Sequence, residues 1–225
     1  MRRFVPLVVA IFAVASCAAL GSSAAFALPT LKPATALSLK GEGGLSKREV
    51  LGTSLKLECE KNTREGSFAE NTVLGPFHIT FVNCSAKIGT TSLGKCTGLA
   101  DTAGSGTILE LGEAHIVFDS LSPLGAALLF LFEPVHYECK SITTVLFTMT
   151  GSMLCLISPI NTSTTAFKVK CEGEAGDAKE TKYWNDAGEE KKAELLSSEN
   201  EKSTVDASEN AEAALTASHA VEVVA

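Results

Sequence analysis

Leu55-Lys56-Leu57-Glu58-Cys59 and Phe77-His78-Ile79-Thr80-Phe81-Val82-Asn83-Cys84 decide the fold class of this chain. In the first stretch Leu55, Leu57 and Cys59 alternate with Lys56, Glu58 and Glu60, the period of a half-buried β-strand. In the second Phe77, Ile79 and Phe81 alternate with His78, Thr80 and Val82, and Cys84 follows directly. Each strand ends by delivering a thiol, and in an exported chain a thiol is usually half of a cross-link.

The same alternation recurs downstream. Val135, Tyr137 and Cys139 alternate with His136, Glu138 and Lys140, and Phe167, Val169 and Cys171 with Lys168, Lys170 and Glu172. Ala126 to Phe132 is continuously apolar, which its length and aromatic content assign to a strand buried on both faces. Ile142 to Met149 and Met153 to Ile157 are further strands, and Thr107–Leu111 and His115–Phe118 read as a hairpin about Gly112-Glu113. Glu60 to Glu65 reads as a polar turn, and Cys84 to Cys96 as a loop rich in Gly, Ser and Thr. Asp206 and Glu209 have capping-box spacing, but Val221, Val223 and Val224 favour strand. We take residues 206–224 as a closing strand, because the sheet needs its edge covered. The expectation is an all-β fold, a mainly antiparallel sandwich or barrel linked by disulfides, with at most one or two short helices.

Arg2 and Arg3 precede an uncharged apolar run from Phe4 to Leu20, and Ala25-Phe26-Ala27 is a small-x-small cleavage site. Residues 1–27 are therefore read as a signal peptide. Val14-Ala15-Ser16-Cys17 also resembles a lipobox, in which case Cys17 carries a lipid anchor and the protein is a lipoprotein on the outer face of the membrane. No segment after the signal is long enough to span a bilayer. Residues 28–52, with Pro29, Pro33 and Gly41-Glu42-Gly43-Gly44, read as weakly structured, with Leu37, Leu39 and Val50 available for an edge strand. Residues 53–225 read as one β-rich domain. The localisation expected is secreted or extracellular, at the cell envelope.

Either export route removes Cys17 from the thiol pool and leaves six: Cys59, Cys84, Cys96, Cys139, Cys155 and Cys171. An even number in an exported chain implies disulfides, with fifteen pairings available. Structural zinc needs pairs two to four residues apart, and the closest pair here is Cys84 and Cys96. Folding the last two cysteine-bearing strands about Ser163 puts Cys155 opposite Cys171 and Ile157 opposite Val169, near disulfide distance. We therefore expect Cys155–Cys171. Cys84–Cys96 is expected from the flexible loop between them, and Cys59–Cys139 by elimination.

Charge is uneven. The chain holds 26 acidic and 19 basic side chains. Residues 28–171 are balanced, whereas 172–225 hold 14 acidic against 5 basic. That distribution offers nucleic acid no basic footprint, and the acidic C-terminal part serves solubility.

No cofactor or metal site is read from the sequence. His78 and His136 sit on the polar sides of strands, and His115 and His219 have no ligand-spaced neighbour. Ser92 and Lys95 satisfy SxxK, but in a loop rather than on the helix that motif requires. Glu172, Glu174 and Asp177 lack the glycine-fixed loop of a calcium site. Asn83-Cys84-Ser85 and Asn161-Thr162-Ser163 fit the glycosylation sequon, against which the bacterial-looking signal argues. The reading is a non-catalytic binding or structural β-domain. The competing reading is a secreted hydrolase whose carboxylate pair is drawn from Glu58, Glu60, Glu133 and Glu138.

The segment from Leu57-Glu58-Cys59-Glu60-Lys61 through Phe81-Val82-Asn83-Cys84, then Tyr137-Glu138-Cys139 and Gly151-Ser152-Met153, resembles a group of uncharacterised secreted actinobacterial proteins. The resemblance covers roughly Leu55 to Asn161. It implies export and a β-rich fold, and carries no activity, ligand or site.

Overall fold

Both deciding segments are parts of much longer strands. The structure, a computed structural model, describes residues 28–50, 54–70, 74–99, 104–141, 144–172, 182–185, 187–200 and 205–225. The signal segment and Cys17 lie outside the described residues. The strands are β1 (Thr30–Lys32), β2 (Leu37–Gly43), β3 (Ser46–Val50), β4 (Leu55–Phe68), β5 (Leu74–Ile88), β6 (Thr91–Gly98) and β7 (Ile108–Leu121). They continue with β8 (Leu124–Lys140), β9 (Thr144–Ser158), β10 (Thr164–Cys171), β11 (Lys182–Trp184), β12 (Glu190–Lys192), β13 (Leu195–Glu199) and β14 (Val205–Val224). No helix occurs among the described residues.

The pairings close into a ring, and every one is antiparallel. At one end the order is β2-β4-β5-β7-β8-β9-β10-β14 and back to β2. At the other end it is β3-β4-β5-β6-β8-β9-β13-β14 and back to β3. Five long strands, β4, β5, β8, β9 and β14, run through both rings. The remaining three positions are each shared by two strands in line: β2 with β3, β6 with β7, and β10 with β13. The fold is thus an eight-position up-and-down barrel, whose wall has no open edge strand among the described residues.

The three interruptions fall in one band around the barrel. Gly44-Leu45 separates β2 from β3 opposite Glu60-Lys61 of β4, and that point of β4 faces Asn83 of β5, where β6 gives way to β7. On β14 the change from β13 to β10 and the change from β3 to β2 both fall between Ala207 and Ala213. Buried residues change parity at this waist. In β4 they are Leu55, Leu57 and Cys59, then Asn62 and Arg64; in β5 they are Phe77, Ile79 and Phe81, then Cys84 and Ala86. Asn83 takes the left-handed conformation (φ 55°) that lets β5 make the switch.

Three disulfides stand beside these interruptions, each between residues directly opposite in adjacent strands. Cys59–Cys84 joins β4 to β5, Cys96–Cys139 joins β6 to β8, and Cys155–Cys171 joins β9 to β10. The expected Cys155–Cys171 pair and its register, Ile157 opposite Val169, are both present. The expected Cys84–Cys96 and Cys59–Cys139 pairs are not. The segment taken as a loop is a hairpin turning at Gly89-Thr90, and Cys84 faces β4 while Cys96 faces β8.

Other local readings also give way to the long strands. Glu60–Glu65 lies inside β4, because its polar residues occupy the wall at a parity change. Residues 28–52 are not weakly structured where described: β2 and β3 complete the ring between β14 and β4. The glycines that suggested flexibility there are needed for space, since a Cβ on Gly41 would lie 2.3 Å from Ala214 O. Gly112 likewise sits inside β7, not at a turn, and a Cβ there would lie 2.0 Å from Leu131 O. Gly112→Ala is expected to lower stability by about 1–3 kcal/mol through overpacking against backbone. Gly44→Ala, with nothing within 4 Å of the added carbon, should change it far less. Urea unfolding of the two variants side by side checks this.

The barrel is filled with side chains. At one end Leu37, Leu39, Phe68, Leu128, Phe167 and Val221 enclose a cavity of only about 10 Å³, at the lower limit for a single water. The closing strand fits this crowding: Ala211, Ala213, Leu215 and Ala217 point inward at period two, with Glu212, Ala214, Thr216 and Ser218 exposed. Outward positions of β4, β10 and β14, such as Lys56, Glu65, Lys168, Lys170 and Glu212, are charged and exposed, the reverse of a lipid-facing barrel. The apolar exception lies on β7, β8 and β9, where Val117, Ala127, Leu129 and Leu154 are covered by Tyr183 and Ala193 from the excursion between β10 and β13. That cover explains why Ala126–Phe132 is apolar on both faces.

Candidate functional site

Two features of the barrel concentrate chemistry: a buried charged cluster at the waist and an apolar groove in the outer wall above it.

The cluster is built on Arg48 of β3. Its Nε donates to Glu209 Oε2 at 2.7 Å and its Nη2 to Glu110 Oε2 at 2.8 Å. Nη1 pairs with Glu110 Oε1, which makes the contact with Glu110 bidentate, and Nη2 lies 2.5 Å from Glu209 Oε2. Ser46 donates from Oγ to Glu209 Oε1 at 3.2 Å, Met149 Sδ lies 3.1 Å from Nη1, and the guanidinium stacks 4.5 Å from the centre of the Phe81 ring. All three ionised side chains are at most 4 % exposed. Burial opposes the charge on Arg48, but the two carboxylates outweigh it and hold its pKa above the ordinary value. Burial likewise pushes Glu110 upward, against the pull of Arg48. Tyr137, stacked on Phe147, is also raised by burial.

Arg64 of β4 extends the cluster. Nε donates to Asn62 Oδ1 at 3.0 Å, and Nη1 lies 3.7 Å from Cys171 Sγ. Asn62 in turn donates to Gly44 O at 3.1 Å, satisfying backbone where β2 and β3 part. Nη2 of Arg64 is buried without a hydrogen-bond partner, and burial pushes its guanidinium pKa down. Two arginines and two glutamates therefore neutralise one another inside the wall. Such a network is costly to bury and costly to break, and it ties β3, β7 and β14 to one point.

The groove lies where the wall has its longest unladdered seam. β7 pairs with β8 only from Gly112–Phe132 onward, and β6 pairs with β8 from Gly98–Tyr137 downward, leaving Glu133–His136 opposite Ile108–Leu111 without ladder pairs. Leu99 N donates to His136 O at 2.8 Å across this seam. Leu99, Leu109, Leu111, Glu133, Pro134 and His136 line a groove of about 250 Å³. Leu99 is 50 % exposed and Leu111 40 %. Glu110, between two groove leucines, points the other way into the cluster, so groove and cluster occupy opposite sides of one strand segment.

Apart from Glu133 and His136 at the groove, the sequence-predicted candidates lie elsewhere. Glu58 pairs with Lys87 at 3.4 Å, Glu60 accepts from Asn83 at 2.9 Å, and Glu138 pairs with Lys140 at 2.5 Å. Only Glu133 reaches the groove, so the four are not brought together. His78 is exposed, and His136 Nδ1 lies 2.9 Å from Thr148 Oγ1. His219 lies 2.9 Å from Thr35 Oγ1, and His115 is 3.9 Å from Glu113. Ser92 accepts from Gly94 N on β6, and Glu172 pairs with Lys170; Glu174 and Asp177 lie outside the described residues. Among the described residues no group of three or more His, Cys, Asp or Glu is placed to hold a metal ion.

Sequence reasoning missed Arg48, Glu110 and Glu209, although a signal for two of them was present. Counting back by twos from Ala211 reaches Glu209, and from Ile116 and Ala114 reaches Glu110. Arg48, inside Ser46-Lys47-Arg48-Glu49, reads as one of a run of surface charges. No family model, curated protein or solved structure matches this chain.

Proposed function

We propose that this chain is an exported, non-catalytic β-barrel that serves as a binding or structural module at the cell envelope and works through its outer surface. The observation that carries the reading is the division of labour across β7. The inward side holds charges consumed by one another, and the outward side exposes leucines over an unladdered seam. Exposed apolar side chains gathered in one groove mark an interaction site. Three disulfides suit an oxidising compartment, which agrees with the export signal and with the resemblance to secreted proteins. The hydrolase reading loses support because its four glutamates are not brought together: Glu58, Glu60 and Glu138 have separate partners, and only Glu133 lies at the groove.

The dye anilinonaphthalene sulfonate probes the groove directly. Native protein should enhance its fluorescence, and the double variant Leu99→Glu/Leu111→Glu should lose most of that enhancement while unfolding at an unchanged urea midpoint. Equal enhancement by both proteins would rule the groove out as the apolar binding surface.

A further inference from the structure

Four of the six disulfide-bonded cysteines stand in a row across neighbouring strands of the wall: Cys59 on β4, Cys84 on β5, Cys96 on β6 and Cys139 on β8. The finished barrel joins the outer two neighbours and leaves the middle pair unlinked. The β5–β6 hairpin on its own specifies something else. It turns at Gly89 (φ 58°) and pairs Ile88 with Thr91, Lys87 with Ser92, Ala86 with Gly94 and Ser85 with Lys95. Continued one step further, that ladder would set Cys84 opposite Cys96.

Only later parts of the chain draw the two apart. Cys84 N donates to Gly106 O at 2.9 Å, and Gly98 N to Thr107 O at 2.8 Å, so the entry to β7 wedges between β5 and β6. Cys96 then meets Cys139 of β8. Before β7 and β8 dock, the nearest thiol to Cys84 within one local element is Cys96. The loop-closure term favours that contact as well. With sequence separations of 25 for Cys59–Cys84 and 43 for Cys96–Cys139 against twelve for the local pair, the advantage is about threefold and about sevenfold.

We propose that the native bonds are reached through a transient Cys84–Cys96 disulfide that neighbouring thiols of the same row exchange, which makes this chain a client of a dithiol–disulfide exchange catalyst. The thiolate of Cys59 attacks Sγ of Cys84. The 84–96 bond breaks, the 59–84 bond forms, and Cys96 leaves as a thiolate. Cys96 and Cys139 then give up two electrons and two protons to a disulfide oxidant such as oxidised glutathione, which becomes two thiols as the 96–139 bond closes. The exchange precedes closure of the wall, because Cys59, Cys84, Cys96 and Cys139 are all at most 3 % exposed afterwards.

Reduced, denatured protein is refolded in a glutathione redox buffer, alkylated at intervals and mapped without reduction. Random pairing of six thiols links any given two in about one in five fully oxidised molecules. The 84–96 peptide pair should exceed that share at early times and disappear as 59–84 rises, faster when a dithiol isomerase is added. In the Cys59→Ser/Cys139→Ser variant the thiol that attacks Cys84 and the thiol that captures Cys96 are both gone and the 84–96 bond should persist, an outcome that mapping reads whether or not the barrel closes. The proposal is overturned if 84–96 never exceeds the random share, or if it decays equally fast in the variant.

Discussion

Arg48→Met is expected to destabilise the barrel by about 3–5 kcal/mol, a fall in melting temperature on the order of 10 °C. Arg48 is the direct ion-pair partner of both Glu110 and Glu209, and the substitution leaves two carboxylates inside a filled wall. Nearly all of the loss comes from those orphaned charges, not from the contact removed. The triple variant Arg48→Met/Glu110→Met/Glu209→Met should therefore recover most of it. The loss should also depend on pH in a definite direction. A carboxyl whose folded-state pKa lies above its unfolded value binds more protons when folded, so stability falls as the pH rises through that interval. Burial already pushes Glu110 upward with Arg48 present, and removing Arg48 extends the interval. Urea unfolding at about pH 4.5 and about pH 7.5 should show the smaller deficit at the acid pH. A deficit that grows on acidification, or a triple variant no better than the single one, would contradict this account.

Cys96→Ala/Cys139→Ala should cost about 4 kcal/mol, the chain-entropy value for its loop and the largest of the three bridges. The ladder it reinforces has only four register pairs, Lys95–Lys140 to Gly98–Tyr137, and lies beside the seam between β7 and β8. The same double substitution at Cys155 and Cys171 should cost about 3 kcal/mol, because that bridge spans 16 residues and lies within a hairpin. Calorimetry of the two double variants ranks them directly. Equal losses would mean that loop length is not what sets the contribution of these bridges.

The apolar alternation in Leu55–Cys59, Phe77–Phe81, Val135–Cys139 and Phe167–Cys171 was enough to establish strands and fold class, because side chains in a strand alternate between core and solvent by local geometry alone. The same rule placed Cys155 opposite Cys171, since a hairpin with a short connection has its register set by neighbouring residues. It also supported the closing strand β14, whose alternating Ala, Leu and Val residues face a crowded interior. Where strands change face at the waist, local alternation stops being informative. There the polar run Glu60–Glu65 looks like a turn. Away from the waist, Gly112 looks like a hairpin tip because it has no side chain to show the period, and Arg48 looks like a surface charge because only its distant partners mark it as buried. Which strand lies beside β5 beyond Ser85 was decided only in three dimensions, when β7 entered and moved Cys96 to β8. For the same reason the row of four cysteines, the seam carrying the groove and the neutral Arg–Glu cluster belong to the tertiary structure. The cluster joins β3, β7 and β14, far apart in sequence, and for all three features nothing in the period of any one strand specifies its neighbour across the wall.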